Sequence, residues 1–339
     1  MGKYVLKRIG QALIVLLLAY TLAFFLLSAL PSDGVAARYA DPALGLSQAE
    51  IDAIREEMGA DKPLIAQYFS SLGGFLTGHF GNSTQSGAPV ATLLADALPH
   101  TLVLAACAIG LGLIVAVAVA FIATLPGMGA VATFFRGLPS FMVSLPGFWI
   151  GILLIQVFSF QLGWIRVIEP GSVEGLILPT LTLAVPMAAP LIQVLIRSLD
   201  ETQSRPFVQA VRSRGASESW IFWRTTLRTS LLPTLTMAGL LFGELVGGAV
   251  VTETVFGRAG LGSLTVNAVS SRDMPVLLGV VLIAATAYVV INLIVDLLYP
   301  VLDVRLRDQA AAQTATTPAA RDEQTAAHTP ATTAKEAVR

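Results

Sequence analysis

FVQAVRSRGASESWIFWRTTLRTSLLP, residues Phe207 to Pro233, is a basic stretch set between two long apolar runs. Six arginines fall between Arg197 and Arg228. Small residues (Ala210, Gly215, Ala216, Ser217) occupy its centre, and Trp220, Phe222 and Trp223 follow. That order predicts a short docking helix followed by a helix at a membrane surface. A basic loop that touches only lipid headgroups is the alternative.

The rest of the chain sets the class. Of its 339 residues, 55% are hydrophobic and 13% charged, and the mean hydropathy is +0.73. A soluble domain carries about a quarter charged residues. The single cysteine, Cys107, lies in an apolar run, so neither a disulfide framework nor a cysteine metal site is available, and it reads as a small membrane-helix hydrophobe.

Runs long enough to cross a hydrocarbon core of about 30 Å occur at Ile9–Leu30, Thr101–Leu125, Leu138–Phe160, Leu176–Ile196, Leu231–Thr252 and Val276–Tyr299. The expected fold is therefore an all-α polytopic membrane protein with six transmembrane helices. With the N-terminus inside, 15 Lys and Arg face the cytoplasm and 6 face outward; the positive-inside rule puts both termini and the Phe207 segment in the cytoplasm.

Residues 1–30 also imitate a signal peptide, with small residues at Ala36 and Ala37. The apolar run exceeds the usual 7 to 15 residues of such a leader, which favours a retained helix over a cleaved one. Residues 31–99 read as an extracytoplasmic helical subdomain. Within it, Ser47 and Glu50 have capping-box spacing before Ile51, Ile54 and Met58, a second short helix is expected from Pro63 to Leu76, and Gly78–Ala88 reads as loop. Residues 100–308 form a core of five spans, with the basic loop at about 199–230. From Ala310 the Ala, Thr, Gln and Pro composition predicts a disordered cytoplasmic tail, 309–339.

Catalytic motifs are missing. No phosphate-binding G-x-x-x-x-G-K-[ST] loop occurs, so ATP hydrolysis by that route is excluded. Gly257, Gly260 and Gly262 precede no βαβ unit and read as a tight turn between spans. His79, His100 and His328 lack metal-ligand spacing, and no cofactor, metal or nucleic-acid signature appears. Asp96 and His100 read as an interfacial pair.

Ionisable groups inside spans are more telling. Glu244 sits near the centre of the fifth span, where an acid costs about 3 kcal/mol on insertion scales. It is expected to face the bundle interior or a water-filled path, either as a structural hydrogen-bonding group or as part of a substrate path. Glu253 and Asp296 lie nearer the interfaces, within reach of water, and Gln156 and Gln193 read as interhelical glue. Gly239, Gly243, Gly247 and Gly248 form a close-packing stripe. Pro139, Pro146, Pro179, Pro186 and Pro190 predict bends in the third and fourth spans, whether static or part of a gate.

With these residues in view the chain resembles the inner-membrane permease subunits of ABC importers, in the dipeptide, oligopeptide and nickel group, over residues 1 to 308. The Phe207 segment is similar to that family's EAA loop, starting Gln209, Ala210, Val211 where the motif has Glu-Ala-Ala, with Gly215 and then Pro233 at the longer subfamily spacing. IDAIREEMGADKPLIAQYFSSLGGFLTGHFGNS (51–83), GGAVVTETVFGRAGLGSL (247–264) and VINLIVDLLYPVLDVRLR (290–307) match too, with Val304 where the family commonly has proline.

The resemblance implies a type I importer transmembrane domain and a non-catalytic subunit. Gln209, Ala210, Arg212, Arg214, Gly215, Ala216 and Ser217 would couple to one of two separate ATP-binding subunits, with Arg212 and Arg214 facing acidic groove residues. A second homologous permease would complete a heterodimer in the inner membrane, and an extracytoplasmic solute-binding protein would deliver peptides. Nickel, metal chelates and haem are alternative cargoes. A secondary transporter relying on Glu244, and a membrane sensor built on residues 31–100, are the readings from other classes.

Overall fold

The computed structural model describes residues 2–29, 39, 45–57, 62–166 and 172–302. The expected tail, Ala36 and Ala37, and Met58 lie outside the described residues. Twelve helices are named here in chain order: α1 Gly2–Ser28, α2 Gln48–Glu57, α3 Leu64–Leu76, α4 Val90–Thr124, α5 Gly129–Ser144, α6 Gly147–Leu154, α7 Glu174–Gln203, α8 Pro206–Ser213, α9 Glu218–Ile221, α10 Leu227–Val255, α11 Leu261–Ser270 and α12 Met274–Leu302. π-Helical turns at Ile155–Gln161 and Phe222–Thr226 extend α6 and join α9 to α10.

Among the described residues, four helices are long and apolar enough to cross a membrane unaided, and two bent pairs bring the number of possible spans to six. The third expected span differs most. Its helix starts at Gly129, not Leu138, and turns through 96° between Ser144 and Gly147. Pro146 supplies the reason: it holds the preceding residue extended, so Leu145 sits at φ −91, ψ 124 and ends α5. The proline-bearing fourth span behaves otherwise, because α7 runs unbroken from Glu174 to Gln203 through Pro179, Pro186 and Pro190.

The core lies between α4 and α7. Small side chains on α4 (Ala105, Ala108, Ala116, Ala120) meet Ala188, Leu191 and Leu195 of α7, and such faces let helix backbones approach. The glycine stripe of α10 acts in part this way. A methyl on Gly243 would meet the Tyr288 ring at 3.2 Å and one on Gly248 would meet Leu183 at 3.3 Å, whereas Gly247 faces open space.

At 35 residues α4 is about 52 Å long, well beyond a bilayer core. Its first turns, with Val90, Leu94 and Ala97, therefore continue past the span and pack on Leu261, Ala268 and Val276. Before them, Ser47 and Glu50 close the expected capping box: the Ser47 amide donates to Glu50 Oε2 at 2.8 Å, and the Glu50 amide donates to Ser47 Oγ at 3.4 Å. These bonds hold the Glu50 carboxyl below the ordinary carboxylate range.

Candidate functional site

The Phe207 segment folds as two short helices around a glycine turn. Pro206 occupies the first turn of α8, where its missing N–H costs nothing. Gly215 then adopts φ +86, a left-handed conformation that side-chain-bearing residues reach only at a cost. Ser217 opens α9 by accepting a hydrogen bond from the Trp220 amide at 3.3 Å.

The segment has two distinct faces. Val208, Ile221, Phe222 and Thr226 are buried, and they seat it on the bundle. Gln209, Ala210, Arg212, Ser213, Arg214, Gly215 and Ser217 are exposed together, with Ala216 half-buried at their edge. No atom lies within 4 Å of where a Gly215 side chain would begin. Backbone conformation, not crowding inside this chain, is what requires glycine there.

Arg212 is the residue whose setting differs most from expectation. Its guanidinium grips Glu218 across the turn with two hydrogen bonds of 2.6 and 2.9 Å. Arg212 thereby holds the Glu218 carboxyl below its ordinary range. Arg214 remains exposed on the outward face.

Below the turn, three contacts tie the segment to α4 and α7. The Phe222 ring lies 4.8 Å and the Trp223 ring 5.8 Å from Phe121 near the end of α4. Ser230 Oγ donates to Thr202 Oγ1 of α7 at 3.1 Å. Next to it, Arg136 of α5 donates twice to Asp200 of α7, at 2.7 and 2.9 Å, and once to the Ala123 carbonyl of α4 at 3.1 Å. A cleft of about 350 Å³ opens beside this pair, and Gln193 lines it instead of gluing helices together.

Glu244 is exposed on the surface of the chain, so it does not point into the chain's own bundle. Glu253 reverses its expectation. It is fully buried. Its carboxylate accepts from Thr101 Oγ1 at 2.6 Å and from the Gly262 and Ser263 amides at 2.7 and 3.3 Å, capping α11 and binding it to α4. Gly260 and Gly262 are glycine because added methyls would collide with that carboxylate and, at Gly262, with the Val250 backbone. Asp273 forms a second buried tie, accepting from Ser83 Oγ and from the Thr84 amide at 3.2 Å. The signal for the Glu253 site was present as an acid followed by two glycines, but it reads equally as a turn.

Residues 108–308 match the family described as binding-protein-dependent transport system inner membrane component, and residues 1–105 match the N-terminal region of such membrane components. The chain belongs to this family. It is accordingly a multi-pass inner-membrane permease component of an ABC importer, a membrane part that works with ATPase and binding-protein partners. This permease is 33% identical over 317 residues to the glutathione transport system permease protein GsiC of Escherichia coli K12, covering 91% of this chain and 99% of the relative. It is 33% identical over 318 residues to a protein named as a peptide permease from Brucella suis, with the same coverage. Among solved structures, the inward-facing MetNI methionine ABC transporter shares the fold, at a TM-score of 0.53 and 18% identity over 62% of this chain and 96% of that one.

Proposed function

We propose that this permease passes peptides, dipeptides or somewhat longer ones, across the inner membrane from a solute-binding protein to the cytoplasm, driven by two ATP-binding subunits. The observation that carries the coupling is the two-faced Phe207 segment. Gln209, Ala210, Arg212, Ser213, Arg214, Gly215 and Ser217 are open to a partner, while Val208, Ile221 and Phe222 are buried. Force applied to such an element passes into α4, α7 and α10 through Phe121, Thr202 and the continuous α9–α10 helix. Peptide as cargo is supported by the names of the relatives, one a peptide permease and one a glutathione permease, since glutathione is itself a peptide.

In this reading the N-terminus and the Phe207 segment face the cytoplasm, and a second, similar permease completes a heterodimer. Glu244 lines the path between them. A carboxylate on the outer surface of a spanning helix is too costly to leave against lipid, so water or a polar group must meet it. The α-ammonium of a peptide is a cation of the right charge.

The test is reconstitution of the transporter, with its copurifying ATPases and binding protein, into proteoliposomes. ATP-dependent uptake of di- and tripeptides is expected. Uptake that persists without the ATPases would overturn the coupling, and ATP-driven uptake of nickel or haem in place of peptides would overturn the cargo.

A further inference from the structure

Between the capped helix α2 and the long α4 lies α3, Leu64–Leu76, a helix without one charged side chain. Residues Tyr68, Leu72 and Phe75 recur at helical spacing and pack on Tyr20 and Phe24 of α1 and Leu278 of α12. The flanks of that face present Leu64, Ile65, Phe69 and Leu76, at 50 to 83% exposure. Contiguous apolar surface of this kind marks an interaction face.

The contacts of the packed side fix its depth. Arg8–Ser28 of α1 is a candidate span of 21 residues, which at 1.5 Å per residue matches a hydrocarbon core of about 30 Å end to end. Tyr20 stands eight residues before Ser28, hence about 12 Å inside that end, and Phe24 about 6 Å inside it. The Tyr20 hydroxyl donates to the Tyr68 carbonyl at 3.2 Å, and the Thr21 and Tyr68 hydroxyls lie 2.8 Å apart. The Tyr68 ring is 5.4 Å from those of Tyr20 and Phe24 and 5.8 Å from that of Phe25, and Phe75 reaches Tyr20 at 5.2 Å.

Tyr68 and Phe75 of α3 therefore touch residues that lie inside the hydrocarbon. We infer that α3 is sunk in the bilayer leaflet around the C-terminal half of α1, with lipid acyl chains as the partner of Leu64, Ile65, Phe69 and Leu76. A water-soluble binding protein cannot reach that depth. The absence of charge on α3 leaves headgroup electrostatics no part in holding it, unlike the basic helices that ride on membrane surfaces. One of the two short helices of the expected extracytoplasmic subdomain is then a membrane-anchored brace. It leads into the loop whose Ser83 hydrogen-bonds Asp273 at the start of α12.

The inference rests on the chain being a membrane permease but not on its cargo, and its test separates the two. In the transporter assembled in lipid nanodiscs from a permease labelled before assembly, with Cys107→Ser removing this chain's single thiol, nitroxide labels are placed in turn at Ile65→Cys and Phe69→Cys. An exposed loop position, Gln85→Cys, serves as the water-facing control. Collision with molecular oxygen is expected to exceed collision with a water-soluble nickel chelate several-fold at positions 65 and 69, and the reverse is expected at 85. Chelate collision at 65 and 69 matching that at 85 would overturn the inference by placing α3 in water. Low collision with both probes would overturn it by placing another protein there. If either variant fails to assemble, Leu76→Cys replaces it with the same expected readings.

Discussion

Arg212 and Glu218 clasp each other across the Gly215 turn, two hydrogen bonds of 2.6 and 2.9 Å holding α8 to α9. The pair is partly exposed, so it contributes only about 0.5 kcal/mol to the fold, yet it sets the angle between α8 and α9, the face that the proposed coupling would use. Exchanging the charges, Arg212→Glu with Glu218→Arg, should restore ATPase copurification lost in either single variant if the pair acts by shaping the turn. Failure of the exchange to rescue would show that Arg212 itself touches the partner.

The same pair predicts a pH dependence. Glu218 has its carboxyl depressed by Arg212, so its contribution is complete above the ordinary glutamate value of about 4.3 and is lost as pH falls through the lowered one. ATPase association should hold from neutral pH down to about 4.3 and weaken only below it, and Glu218→Gln should flatten that acid limb.

Gly215 lies at φ +86 with open space around it. Gly215→Ala should cost about 1–2 kcal/mol of turn stability through strain alone, and Gly215→Asn less, because asparagine tolerates the left-handed region. Copurification with the ATPase should follow the order Gly, Asn, Ala, with membrane insertion unchanged. Equal losses for Asn and Ala would point instead to contact with the partner at that spot.

Glu253 is buried with three donors, so Glu253→Ala strands Thr101 and the Gly262 and Ser263 amides. A loss of about 3 kcal/mol is expected, seen as a lower thermal midpoint in detergent, and Glu253→Gln should lose less because one oxygen remains. Gly262→Ala should be comparably severe, since its methyl meets the Val250 backbone.

Glu244→Gln should lower ATP-driven peptide uptake while leaving ATPase copurification and thermal stability near those of the parent. If instead stability falls and uptake per folded transporter does not, Glu244 belongs to a packing contact.

Much of this architecture is legible in sequence because apolar length and arginine placement are coarse, additive properties. The Ser47–Glu50 cap and the short helices at 48–57 and 64–76 follow from local spacing. What sequence could not give was geometry between distant segments. Glu253 reads as an interfacial acid until α4 brings Thr101 beside it, 152 residues away in the chain. Arg212 offers a free charge until a turn six residues long closes on Glu218. Pro146 and the three prolines of α7 carry the same local signal, yet one ends a helix and the others do not, because α7 is packed on neighbouring helices along its buried face.

The Ser83–Asp273 and Thr101–Glu253 ties join parts of the chain that a ribosome makes far apart in time. Until the fifth span arrives, Thr101 has no carboxylate, and until Asp273 emerges the loop at Ser83 has no anchor. The outward side of the nascent chain should therefore stay open to protease through most of synthesis and close late, once α11 and the start of α12 have been delivered. Assembly of this permease is in that sense sealed from its C-terminal third, and truncations before residue 273 should insert in the membrane yet be cleared by quality control.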